Sequence, residues 1–233
     1  MDIGYPTSNL NWEHRVAKSE GLLMYDELIA VHTIMRRGVE LTTTSLERLV
    51  AGGPVSVKAV VRLARWQSEF VHHHHESEDE LFWPVLRTLF PEVVAGLDGL
   101  SAEHEKLDHE LRTLSTAIDT LAEKGVDVRE AAKAALPSAI TVKDVLLGHL
   151  DAEEPVLQGL FPQVPDADVV RLRKAIVDGA PRGGPDLVIG LLSEPVPAPG
   201  HDVMMANFPA PVRLLRPLLL RRFHSTLGAL AAR

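Results

Sequence analysis

Four stretches of the chain place apolar residues three and four positions apart, the period of a helix that buries one side. From about Leu22 to Val50 the repeating positions are Tyr25, Leu28, Ile29, His32, Met35, Val39, Leu46 and Leu49, and Ala51-Gly52-Gly53-Pro54 closes the run. A second stretch starts behind Ser56, a residue suited to capping a helix N-terminus, and reaches about Phe90. Its stripe is Val57, Val60, Ala64, Val71, Glu78, Leu81, Phe82, Val85 and Leu89. Pro84 is expected to bend it, because proline removes a backbone donor. The third, from Pro91 to about Glu123, carries Val94, Leu97, Leu100, His104, Leu107, Leu111, Leu114, Ile118 and Leu121, and Gly125 stops it. The fourth runs from about Val128 to Leu160 with Val145, Leu146, His149, Glu153, Val156 and Leu160 inward, and Pro137 is expected to kink it. Long helices joined by short connections predict an all-α, up-down-up-down four-helix bundle.

The flanks read differently. Met1 to about Ser19 is a polar arm, since GYPTSNLN discourages regular structure. Asp166 to Asp178 predicts one short helix. Gly179 to Pro211, rich in proline and glycine, predicts an ordered but irregular wrap. Val212 to Ala232 predicts a last helix with Arg213, Arg216, Arg221 and Arg222, packed on the bundle or, as the alternative, touching a membrane or an acidic partner. The expected division is residues 1–21 as an arm, 22–163 as the bundle, and 164–233 as a C-terminal helical and irregular extension wrapping it.

Polar residues inside the apolar stripes change the picture. The stretch Val71–Pro84, VHHHHESEDELFWP, puts four consecutive histidines and four acidic residues in the middle of a helix. A sparser copy, HLDAEEPVLQGLFP, spans His149–Pro162. Both contain His-x-x-x-Glu, as His74 with Glu78 and His149 with Glu153, and a spacing of four puts the two side chains on one helix face. Glu78 falls near the centre of its stripe. His75 is as well placed as His74, but its partner at that spacing, Asp79, falls at the stripe edge, so His74 with Glu78 is the preferred register and His75 with Asp79 the other. The helices thus alternate a single histidine (His32, His104) with His-x-x-x-Glu, an internal pseudo-repeat of helical hairpins.

Buried imidazoles and carboxylates are costly unless paired, and a metal ion is the expected partner. His32, His74, Glu78, His104, His149 and Glu153 form a nitrogen and oxygen set that suits iron, manganese or zinc. Two carboxylates with two sets of histidines suggest a pair of ions bridged by Glu78 and Glu153, with positions left open for a bridge and an incoming ligand. Asp108 is a further candidate ligand and Glu154 a supporting or alternative one; Tyr25 lies on the same face as His32. His14, His109, His201 and His224 are read as surface or structural. A ferritin-like oxidase reads as Glu with Glu-x-x-His, and the order and spacing here differ.

Composition narrows the setting. The 233 residues contain no cysteine, which excludes disulfides, iron–sulfur clusters and thiolate zinc and fits a reducing cytoplasm. Thirty-two acidic against 24 basic residues give a net charge of -8, which argues against nucleic acid. The N-terminus lacks the basic flank and apolar core of a signal peptide, and no run approaches the ~18 apolar residues of a membrane span.

The pattern His, His-x-x-x-Glu, His, His-x-x-x-Glu, with its two motif blocks HHHHESEDELFWP and HLDAEEPVLQGLFP, resembles the hemerythrin-like family, also called the HHE cation-binding domain. The similarity covers about residues 22–162. It implies two Fe ions, a di-iron centre with an oxo or hydroxo bridge, held by His32, His74, Glu78, His104, His149 and Glu153. It implies small ligands: dioxygen (O2), peroxide (H2O2) or nitric oxide (NO). The oxygen-carrying members have a further histidine where this chain has Asp108, which puts reversible oxygen carriage in doubt. The expected function is a cytoplasmic di-iron protein that binds or reacts with such ligands; the alternatives are a catalase-like peroxide-removing enzyme and an iron, oxygen or redox sensor or iron-handling module.

Overall fold

The computed structural model describes residues 18–179 and 183–231, and every regular element among them is helical. Residues 1–17 of the predicted arm, His14 among them, lie outside the described residues, as does Ala232. Helix α1 (Glu20–Val50) begins at Ser19, whose Oγ accepts from the Leu22 N–H at 3.3 Å. It ends at Ala51, followed by Gly52 at φ 76°, a left-handed turn that favours glycine. Helix α2 (Val57–Ser77) begins at the predicted cap, Ser56, whose Oγ accepts from Ala59 N–H.

A π-helical turn over Glu78–Phe82 then leads into α3 (Trp83–Leu89). The Trp83 N–H donates to the Glu78 carbonyl, five residues back. The structure therefore puts a widened turn just before Pro84, where a bend was expected. One turn with an extra residue rotates everything after it relative to an unbroken helix. The inward positions accordingly move: Phe82, Trp83 and Leu86 are buried, whereas the predicted Val85 is only half-buried and Leu89 is exposed.

Helix α4 spans Val94–Leu121 and α5 spans Val128–Leu160. The α4 stripe is buried from Leu97 to Leu121 as its period predicts. Asp127 caps α5 by accepting from the Arg129 and Glu130 N–H groups, and the helix runs on through Pro137 and Pro155. In cross-section α1 packs on α2 and α5, and α4 packs on the same two, which closes a four-helix bundle. Its interior is two apolar clusters rather than one. The first is centred on Ile34, Leu46, Leu63, Leu107, Ile118 and Leu146. The second holds Met24, Leu28, Trp83, Leu97, Leu157 and Phe161. The polar residues of the stripes lie between them in sequence on each helix.

After the bundle come α6 (Asp166–Gly179), α7 (Pro185–Ser193), α8 (His201–Asn207), α9 (Ala210–Leu214) and α10 (Arg216–Ala231). The expectation of an irregular wrap over Gly179–Pro211 is corrected: α7 and α8 occupy much of it. Gly184 is left-handed (φ 61°) and Pro185 takes the first helical position, so the two residues that suggested a loop instead start a helix. Leu187, Leu191 and Leu192 are then buried against the bundle, and Ile189 is buried as well. Phe223 of α10 lies over Gly190, where an added Cβ would stand 2.0 Å from the ring. Arg173 on α6 bonds Glu20 and Glu27 of α1, and Arg62 on α2 bonds the buried Asp186 at 2.6 Å. Among the described residues no helix is long and apolar enough to cross a membrane.

Candidate metal centre

The bundle brings histidine pairs face to face between the two apolar clusters. His32 of α1 and His74 of α2 approach Nε2 to Nε2 at 3.1 Å. His104 of α4 and His149 of α5 do the same at 3.1 Å. Glu78, first residue of the π turn, reaches both pairs: Oε1 is 3.1 Å from His74 Nε2 and Oε2 is 3.6 Å from His104 Nε2. Glu153 answers from α5, with Oε2 3.5 Å from His32 Nε2 and 3.6 Å from His149 Nε2. The six residues singled out from the sequence therefore meet at one place, each carboxylate shared between the two histidine pairs.

A seventh joins them. His75 is 1% exposed and stacks on His104, ring centroids 4.2 Å apart and 10° from parallel. Donor atoms of His75, Glu78, His104 and His149 lie within 4.8 Å of one another, and so do those of His32, His74, Glu78 and Glu153. These are two four-residue sets with Glu78 in common. The four-histidine run carried the signal, since His74 and His75 were equally placed on the helix. The alternative register is split by the structure: His75 enters the centre, while Asp79 stays behind His104.

Hydrogen bonds fix the tautomers. His104 Nδ1 contacts Asp79 Oδ2 at 2.9 Å, and His149 Nδ1 contacts Glu103 Oε2 at 2.9 Å. A carboxylate only accepts, so both Nδ1 atoms carry the proton. Both Nε2 atoms are then lone pairs, and they face each other at 3.1 Å with no proton between them. His32 is set in the same way by Glu154 Oε1, 2.9 Å from its Nδ1. Burial pushes His74 and His75 well below the ordinary histidine range and pushes His149 down as well, which disfavours the charged form of these rings. Nor are the carboxylates satisfied. Among the described residues, all four oxygens of Glu78 and Glu153 and both nitrogens of His75 are buried without a hydrogen-bond partner. Burial, and then the charge of Glu153, push the Glu78 carboxyl well above its usual range. Each unpartnered buried group is destabilising by ~1–3 kcal/mol, more if charged. Converging lone pairs and poorly compensated carboxylates favour a bound cation, and a sulfur-free set of imidazole and carboxylate suits iron, manganese or zinc.

The outer partners complete the arrangement. Asp79 also accepts from Ser101 Oγ at 2.7 Å, which pins it behind His104. Glu154, placed by the sequence as a supporting or alternative ligand, bonds His32 and the guanidinium of Arg36 (2.5 Å), and Arg36 continues to the exposed Asp151. Burial opposes ionisation of Glu154, but these two donors hold its carboxyl below the ordinary range. Tyr25 feels Glu154: burial first, then that charge, push its hydroxyl up. Asp108 is not at the centre; it pairs with the exposed His72 at 3.2 Å. His109 is exposed, His224 lies near Glu194 at the surface, and His201 is buried against Asp202. Glu103 and Asp79 were missed as histidine partners, because that role depends on which helices become neighbours.

Residues 23–164 match the family model of the hemerythrin HHE cation binding domain. No curated protein and no solved structure matches the chain.

Proposed function

The chain belongs to the hemerythrin HHE cation-binding domain family, and from that premise we propose that it holds two iron ions and binds or reacts with dioxygen, peroxide or nitric oxide. One ion would be taken by His32 and His74, the other by His75, His104 and His149, with Glu78 and Glu153 shared. The observation that carries this is the pair of imidazole lone pairs facing each other at 3.1 Å beside four unpartnered carboxylate oxygens. Iron so held supplies redox chemistry and a Lewis-acidic position for a small ligand. Five nitrogens and two carboxylates leave such positions unfilled, which marks a reactive rather than a structural site.

The chain's own residues set what can enter. The apolar clusters on either side favour small uncharged ligands over bulky or charged ones. Asp79, Glu103 and Glu154 hold His104, His149 and His32 in the Nδ1–H form, so the Nε2 lone pairs stay aimed inward. We take residues 22–163 as the unit that carries this activity and 164–233 as its extension. Peroxide removal is the second reading. Glu154, hydrogen-bonded to His32 Nδ1 and partly open to solvent, gives a proton at that atom an acceptor, and Arg36 holds the carboxylate in place.

Iron-loaded protein, reduced without oxygen and then exposed separately to oxygen, nitric oxide and peroxide, tests both readings. Near-ultraviolet and visible bands that respond to one of these support the proposal, and iron-loaded protein without any such bands rejects it. Oxygen evolution from peroxide above that of free iron, lost in Glu154→Ala, selects the second reading.

A further inference from the structure

The outer surface of α9 and α10 has no role in the centre, and its composition is unlike the rest of the molecule. From Val203 to Arg233 the chain contains five arginines and no acidic residue. The whole chain is -8, so the preceding residues carry -13. The last 31 residues thus carry a net charge of +5 in a chain whose remainder is acidic.

Helix α10 divides its residues cleanly. Leu219, Phe223 and Leu230 are buried, Phe223 against α7. At the corner where α9 meets α10, by contrast, Leu214 is 81% exposed, Leu215 51% and Leu218 52%. Arg213, Arg221 and Arg222 are exposed beside them. Several arginines elsewhere are held: Arg36, Arg62, Arg65, Arg87 and Arg173 each bond a carboxylate. No carboxylate among the described residues pairs with Arg213, Arg216, Arg221 or Arg222. Exposed leucines grouped rather than scattered mark a contact surface, and unpaired guanidinium groups around them set the sign of what is contacted.

We infer that the α9–α10 corner docks on an anionic phospholipid surface. The leucines enter the headgroup–acyl boundary and the arginines lie at the level of the phosphates. This is the division of labour of a helix lying in the membrane interface, and it needs no spanning segment. Charge disfavours an isologous dimer through this face: a second copy docked across a two-fold axis would set arginines against arginines. The inference does not rest on the metal reading.

The test uses the full chain and vesicles of phosphatidylcholine with and without phosphatidylglycerol, followed by co-sedimentation. Binding is expected to vesicles containing phosphatidylglycerol only, and to weaken as salt is raised. Arg221→Gln with Arg222→Gln should lower the partition coefficient roughly twenty-fivefold, at about a fivefold loss per arginine near such a surface. Leu214→Asn with Leu218→Asn should lower it as well, with the melting temperature little changed because both side chains are more than half exposed. Absence of binding to phosphatidylglycerol vesicles overturns the inference, as does binding that survives both double variants. Self-association without vesicle binding, abolished by the leucine variant in sedimentation velocity, overturns it in favour of a contact between copies.

Discussion

Replacing Glu78 by Gln should stabilise the metal-free protein and weaken the metal-loaded one. Glu78 is 2% exposed, both oxygens are without a hydrogen-bond partner among the described residues, and Glu153 shares the site. Its carboxyl is raised by burial and then by Glu153. A folded value above the unfolded one means that the folded state binds the proton more tightly. Its contribution to stability is full below the unfolded value, about 4.3, and is lost as pH rises through the folded value. An amide keeps the shape and carries no charge at any pH. Relief of one buried, poorly compensated carboxylate is worth about 1–3 kcal/mol near neutral pH, or a rise of roughly 2–12 °C in melting temperature for a chain of this size. The gain should shrink toward zero as pH approaches the unfolded carboxylate value. With iron present the order reverses. Loss of a shared ligand should weaken binding at least ten- to a hundredfold, which removes about 1.4–2.7 kcal/mol of metal-induced stabilisation. Thermal unfolding of both proteins, with and without iron, from pH 4.5 to pH 8 reads all of this. A Gln variant that is less stable without metal at every pH, or protected by iron as fully as the parent, refutes the reasoning.

His75→Ala should halve the iron bound per chain, while His72→Ala should leave it unchanged, because His72 pairs with Asp108 outside the centre; metal analysis after desalting separates them. Asp79→Asn, which presents an amide to His104 Nδ1, should weaken iron binding about ten- to a hundredfold with little change in metal-free stability, checked by competition with a chelator. Gly190→Ala should lower stability by about 1–3 kcal/mol, because the added Cβ would stand 2.0 Å from the Phe223 ring; a loss in melting temperature with unchanged iron content is the expected result.

The bundle was largely legible from period alone. Helix α5 runs from Val128 to Leu160 as its apolar spacing and flanking residues indicate, and Ser56 caps α2. The six inward polar residues were legible because each sits in an apolar stripe, where a histidine or glutamate is conspicuous. The π turn was not. Leu81, Phe82, Val85 and Leu89 continue an α-helical period without a break, so nothing in the spacing reveals the extra residue that turns Trp83 and Leu86 inward instead. His75 was visible but tied with His74, and only the helix's setting in the bundle shows that both rings enter. Asp79 and Glu103 act on histidines of other helices, a relation that needs the lateral spacing of the bundle. In the tail, glycine and proline read as breakers, whereas Gly184 and Pro185 are the turn and first residue of a buried apolar helix.

The central claim is that two ions share Glu78 and Glu153. Anomalous diffraction at the iron edge from iron-loaded crystals tests it most directly. The account predicts two peaks, one beside His32 and His74, the other beside His75, His104 and His149, with both carboxylates between them. A single peak, or peaks at the outer His72 and Asp108 pair with the centre empty, would contradict it.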